Sequence, residues 1–142
     1  MPKPDRATLE RLAAVPLFAS LGPKELASVA QAGQPKSYRA GDKVVAAGDK
    51  GIGFYLVLSG QVEVQSHGKT VATLRPGEFF GEMALFHEQE RTADVLATAP
   101  TECLVLSSWE FWGVLGDKPE AMRTLMNELV RRLRATSHSL TE

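Results

Sequence analysis

Between Gln34 and Ser108 turn residues interrupt the chain every few positions, and this spacing leaves room only for short strands. Gly41-Asp42, Gly48-Asp49, Gly51, Gly53, Ser59-Gly60, His67-Gly68 and Pro76-Gly77 separate β-prone runs at residues 43–47, 54–58, 61–65 and 70–74. Two more runs follow at 92–97 and 102–106. In one of them Val62 and Val64 alternate with Glu63 and Gln65, the period of two that gives a strand one apolar face. Many short strands joined by close turns predict a β-sandwich or jelly roll. The fold class expected is mainly β with flanking α.

The flanks follow the helical period instead. Residues 7–15 place Leu9, Leu12 and Ala13 on one face, Pro16 ends that helix, and Leu17-Phe18 forms an apolar plug. A second helix starts near Pro23, carries Leu26, Val29 and Ala30, and can be capped by Gly33. After the strands, Ser107-Ser108 offers a cap to a helix over 109–115, and Gly116-Asp117-Lys118 breaks it. Pro119 begins the last helix, about 120–138. Its stripe of Met122, Leu125, Met126, Leu129, Val130 and Leu133 is wide enough to pack on the sandwich, to form a dimer seam, or both. The expected organisation is an N-terminal segment and short helix over 1–15 and one domain over 16–142. Within that domain the sandwich spans about 34–108 and the two C-terminal helices about 108–138.

A chain of 142 residues has room for one such core, and a net charge of -1 gives no large basic surface for nucleic acid. Cys103 is the lone cysteine, so it has no internal disulfide partner, and it reads as a small core residue rather than a nucleophile. His67, His87 and His138 are scattered without metal-ligand spacing, and no nucleophile–base pair, dinucleotide loop or P-loop is present. A non-enzymatic protein without resident cofactor or metal is expected. No apolar run approaches a membrane span and the N-terminus lacks a signal-peptide core, so a cytoplasmic location with no membrane partner is expected.

The chemistry concentrates between Phe79 and Ala97. Two phenylalanines precede Gly81, Glu82-Met83-Ala84-Leu85-Phe86 can form one helical turn, residues 87–90 make a polar loop, and Arg91 leads into strand-like alternation. Glycine admits a ligand close to the backbone, and a helix start offers unpaired N–H groups to an anion. An arginine after a short loop can fold back and grip the same anion with two parallel bonds. A carboxylate beside the glycine suits sugar hydroxyls better than phosphate. These parts together fit a compact ligand with one phosphate and one ribose.

Phe80-Gly81-Glu82-Met83-Ala84-Leu85 and Arg91-Thr92-Ala93-Asp94-Val95 resemble the two linked halves of the phosphate-binding cassette in cyclic-nucleotide-binding domains. Glu90 departs from the proline that many members carry before the arginine, but Gln89-Glu90-Arg91 resembles the transcription factors of the catabolite-activator type. The resemblance runs from Pro16 onward and includes turn glycines at Gly41, Gly48 and Gly60. Arg131-Arg132-Leu133-Arg134-Ala135-Thr136-Ser137 is similar to the part of that family's dimer helix that reaches the base. The chain ends at Glu142, where those factors continue into a helix-turn-helix, so no nucleic-acid binding by itself is expected.

The resemblance implies a jelly roll that binds a purine 3′,5′-cyclic monophosphate, cAMP ahead of cGMP. Arg91 would hold the phosphate, Glu82 would accept the ribose 2′-hydroxyl, and Gly81, Met83 and Ala84 would give backbone N–H groups or close approach. Phe80 and Ala93 complete the cassette. Thr92 would touch the phosphate or a syn purine, or is simply a strand threonine. Val71 and Leu74 are walls for the base or ordinary core. Arg132, Thr136 and Ser137 cap the base or form a solvated helix end. The implied partners are the nucleotide, a second copy through the C-terminal helix, and an effector protein. The alternatives are a structural or interaction module of the same fold that binds no nucleotide, and a fragment of a DNA-binding regulator.

Overall fold

The computed structural model describes residues 6–48, 50–51, 53–85, 89–90 and 93–141. Among them, ten strands and four α-helices occur in the order α1 (Arg6–Ala13), α2 (Pro23–Ala32), β1 (Gln34–Tyr38), β2 (Lys43–Val45), β3 (Lys50–Gly51), β4 (Gly53–Ser59), β5 (Val62–Ser66), β6 (Lys69–Leu74), β7 (Phe79–Phe80), β8 (Gln89–Glu90), β9 (Asp94–Ala97), β10 (Thr101–Ser107), α3 (Ser108–Leu115) and α4 (Pro119–Thr141). Short 3-10 turns at Pro16–Phe18 and Glu82–Leu85 complete the order. One sheet runs β1-β10-β4-β7, the second β2-β9-β5-β6, and a two-stranded ribbon pairs β3 with β8. Every pairing is antiparallel. The strands make a jelly roll, as the turn spacing predicted.

Strands β4 and β10 of the first sheet are buried on both faces, whereas β1 is largely exposed. Along β4, Phe54, Leu56 and Leu58 point toward the helices, while Val57 points toward the second sheet. Along β10, Leu104 and Leu106 join the helical side and Cys103 the sandwich side. The helical side is the larger core, built on Phe18, Phe54, Phe79, Phe111 and leucines from α1, α2, α3 and α4. The space between the sheets holds a smaller cluster of Val57, Val62, Leu74, Phe80, Val95 and Cys103.

The helices begin and end near their expected positions. Both Leu17 and Phe18 are buried in the 3-10 turn, which makes them the plug the sequence suggested. Ser107 caps α3 by accepting the Glu110 N–H at 3.2 Å, and Glu110 accepts the Ser107 N–H at 2.9 Å in return. Gly33 follows α2, but for a different reason from the one expected. Its φ of -78 is open to any residue, and glycine is required because a Cβ there would lie 2.5 Å from Leu104 Cγ. Residues 89–90, expected in a polar loop, form β8 against Lys50 and Gly51. The apolar stripe of α4 divides in two. Leu125 is buried and Met122 and Leu129 pack on the core, whereas Met126, Val130 and Leu133 are exposed.

Candidate functional site

The cassette hangs from β4 through a short aromatic strand. In β7, Phe80 pairs with Tyr55 and Phe79 with Leu56. Because successive residues of a strand face opposite ways, the two rings enter different cores. Phe79 sits 5.1 Å from the Phe54 ring on the helical side. Phe80 stacks on Tyr55 at 4.8 Å on the sandwich side. The backbone then turns at Gly81, whose φ of 82 lies in the left-handed region that side chains resist. Glu82–Leu85 follows as a 3-10 turn, a tighter form of the helical turn expected there. Leu85 buries its side chain in the helical core, and its carbonyl accepts the Trp112 indole N–H at 2.9 Å. That bond ties α3 directly to the cassette.

The second tie comes from α4. Arg132 Nη1 lies 2.9 Å from Glu82 Oε2, and Arg132 Nη2 donates to the Phe79 carbonyl at 2.5 Å. The guanidinium carbon also sits 4.7 Å from the centre of the Phe79 ring. Arg132 Nε donates to Glu128 Oε1 at 2.9 Å, and Glu128 accepts from Arg131 as well, with Nε at 3.0 Å. The hydrogen bond from Arg131, followed by that from Arg132, holds the Glu128 carboxyl below the usual carboxylate range against the opposing effect of burial. A cavity of about 390 Å³ lies beside this relay, lined by Pro16, Glu78, Thr124 and Asn127 among others.

Beyond the cassette loop, Ala93 is half-buried at the entrance to β9. Asp94 accepts the Ala47 N–H at 2.7 Å and lies 3.6 Å from Lys43 Nζ, which joins the end of the cassette to β2. On the β5–β6 hairpin, Val71 is 62% exposed beside a register shift, whereas Leu74 is buried in the sandwich cluster. Thus Phe80, Gly81, Glu82 and Arg132 come together. Arg91 and Thr92 lie outside the described residues, as do the side chains of Met83, Ala84 and Thr136. Cys103 is buried, and burial, with a smaller push from Glu102, raises its thiol to about 12. Glu128, Trp112 and Asp94 escaped the sequence reading. For Glu128 a signal existed, since it precedes Arg131 and Arg132 by three and four helical positions.

The profile of the family described as "Cyclic nucleotide-binding domain" matches residues 35–118. The cyclic AMP receptor protein of Thermus thermophilus is 37% identical over 124 residues, covering 84% of this chain and 57% of that protein. The cAMP-dependent protein kinase regulatory subunit of Schizosaccharomyces pombe is 38% identical over 110 residues, covering 77% of this chain and 27% of the subunit. The crystal structure of the Thermus thermophilus catabolite activator protein superposes with a TM-score of 0.77, over 88% of this chain and 61% of that one, at 37% identity. The chain therefore spans a little over half of one curated relative and about a quarter of the other.

Proposed function

Because this chain belongs to the cyclic nucleotide-binding domain family, we propose that it is a non-enzymatic sensor of a purine 3′,5′-cyclic monophosphate, cAMP ahead of cGMP, and that α4 carries its occupancy to an effector. The observation that carries this reading is the contact between Glu82 of the cassette and Arg132 of α4. Glu82 is the group assigned to the ribose hydroxyl, and the helix assigned to output already holds it. A ligand that engages Glu82 more strongly in one placement of α4 than in another meets the requirement for coupling.

The relatives support the ligand class. A cyclic AMP receptor protein and a cAMP-dependent kinase regulatory subunit both align through the cassette region. In this reading Arg91 grips the cyclic phosphate, Thr92 lies beside it, and Met83 and Ala84 offer backbone contacts. Val71, exposed on its hairpin, and Thr136 on α4 approach the base, and Leu74 backs the hairpin from the core. Met126, Val130 and Leu133, spaced four and three residues apart along α4, form an exposed apolar seam suited to a second copy of the chain. The domain acts in the cytoplasm and needs neither metal nor cofactor.

Parallel calorimetric titrations with cAMP and cGMP test the proposal. Micromolar affinity or better is expected, with a preference for cAMP under about tenfold, or ~1.4 kcal/mol. Removing one partner of a buried charge pair costs roughly 3–5 kcal/mol, so Arg91→Ala should weaken binding by about 100- to 1000-fold or more. Absence of binding by either nucleotide at millimolar concentration would refute the sensor reading. A loss below about fivefold in Arg91→Ala would show that the phosphate is held elsewhere.

A further inference from the structure

We propose that Asp94 is a positioning residue for Arg91: it holds the turn at Ala47 and Gly48, and so fixes the chain on either side of the arginine before a nucleotide arrives. The inference rests on the reading that Arg91 grips the cyclic phosphate. Strand β2 pairs with β9 through Val45 and Val95, and β3 pairs with β8 through Lys50 and Glu90, then Gly51 and Gln89. Four residues separate the two pairings on each side, 46–49 and 91–94, so the short ribbon continues the register of the second sheet. The backbone of Asp94 is set in that sheet opposite Gln65. Its carboxylate reaches across the interruption, where Oδ1 accepts the Ala47 N–H at 2.7 Å. Ala47 itself belongs to neither pairing. The next residue, Gly48, turns the chain toward β3 with a φ of 92.

In sequence Arg91 directly follows Glu90 of β8 and precedes Asp94 of β9 by three positions. One carboxylate therefore serves both ends of this stretch. Asp94 ends it directly, and through Ala47 it places β3, against which β8 lies. A ribbon of two residues a side, outside both main sheets, has too few bonds to hold its own place. Its strand β3 is tied to β4 at one end, and the turn held by Asp94 is the tie at the other. A stretch fixed at both ends has little backbone freedom left to lose when an anion binds, which favours affinity. The Lys43 ammonium lies 3.6 Å from Oδ2 on a half-exposed side chain, and a pair of that kind contributes little. The bond to Ala47 is the working part of Asp94. Gly81 and Glu82, by contrast, follow β7, which hangs from β4 of the first sheet.

The test titrates the tighter-binding of cAMP and cGMP, and its 2′-deoxy analogue, against wild type, Asp94→Ala, Asp94→Asn and Lys43→Met. Asp94→Ala is expected to weaken both nucleotides by one common factor, about five- to tenfold, the size of one hydrogen bond. Asp94→Asn keeps an acceptor oxygen for Ala47 and should stay within about twofold of wild type, as should Lys43→Met. In an Arg91→Ala background, Asp94→Ala should change affinity by less than about twofold. An Asp94→Asn loss as large as that of Asp94→Ala, a loss confined to the ribonucleotide, or a full effect without Arg91 would each overturn the proposal. Hydrogen exchange of the unliganded protein separates it from the sensor reading. Amides of 50–51 and 89–90 should exchange faster in Asp94→Ala, while β5 and β10 keep their protection and show that the variant is folded. If the wild type binds neither nucleotide, the sensor reading fails, and the hold of Asp94 on the ribbon is judged by this exchange. Unchanged exchange at 89–90, or a loss of protection that extends to β5 and β10, would overturn it.

Discussion

Replacing Arg132 with alanine should loosen α4 from the cassette by about 2 kcal/mol. The ion pair with Glu82 has side chains 23% and 15% exposed, between the surface and buried limits. It is assigned ~1.5 kcal/mol, above the ~0–1 of exposed pairs and below the ~3–5 of buried ones. The charged hydrogen bond to the Phe79 carbonyl adds about 1.5 kcal/mol, and the guanidinium over the Phe79 ring about 0.5. Freeing an ordered arginine returns about 1.5 kcal/mol of side-chain entropy, which offsets nearly half of the loss. The remaining ~2 kcal/mol corresponds to a factor of about 30 in the docking equilibrium. Hydrogen exchange of the unliganded protein, followed by mass spectrometry, should show amides of α4 near Arg132 exchanging about 30-fold faster, while β4 and β10 keep their protection. Arg132→Lys should fall between the two, because an ammonium keeps the charge but loses the fork. Acceleration below about threefold in Arg132→Ala would mean that the apolar face of α4 docks the helix without help from the Arg132 contacts.

Three other outcomes follow from the same structure. Gly60→Ala should destabilise the domain by about 3 kcal/mol or more, since φ there is 87 and a Cβ would lie 2.3 Å from the Pro100 carbonyl oxygen, whereas Gly68→Ala, with φ 78 but open space, should cost only about 1–2 kcal/mol. Urea unfolding of the two variants compares them, and equal midpoints would contradict the steric argument. Cys103, buried and raised to about 12, should resist a thiol reagent at pH 8 in the folded protein and react at once in denaturant; fast native labelling would show that the sandwich opens readily. Glu128 has a folded-state value below its unfolded one, so its contribution to stability is complete above roughly pH 4.3 and fades as the pH falls toward the lower folded value; the gap in melting temperature between wild type and Glu128→Gln should therefore shrink on acidification from pH 6 to pH 3, and a gap that widened would reverse the assignment.

Local chemistry explains what the sequence disclosed. Turn glycines with positive φ at Gly41, Gly48, Gly60, Gly68 and Gly77 mark reversals that few other residues make easily, so the strands between them were legible. The capped start of α3 and the proline starts of α2 and α4 were legible for the same reason. The ribbon of β3 and β8 was not, because two-residue strands of polar and glycine residues carry no period. The α4 stripe covers more of the helix surface than one contact can bury, and only packing assigns Leu125 to the core and Leu133 to the exterior. The turn at Gly81 and the short helical turn that begins at Glu82 were readable because both are local to one short segment. The Glu82–Arg132 contact joins residues fifty positions apart, and no spacing rule predicts which arginine of α4 turns inward.

Phe79 shows why a change at this site cannot remain local. Its ring belongs to the helical core and lies under Arg132, its carbonyl accepts from the same arginine, and its neighbour Phe80 is anchored in the other core. The sharp turn at Gly81 then leads directly into Glu82, leaving little slack between the aromatic anchor and the carboxylate. Cores packed at crystal-like density shift between discrete arrangements rather than deforming smoothly. On the reading proposed above, a ribose that draws Glu82 toward itself also pulls on Arg132, and Arg132 is fixed to α4 through Glu128. On the same reading, Leu85 passes that displacement to α3 through its bond with Trp112. Two helices thus meet one short turn of backbone through polar contacts at their inner faces, while Met126, Val130 and Leu133 lie on the exposed side of α4.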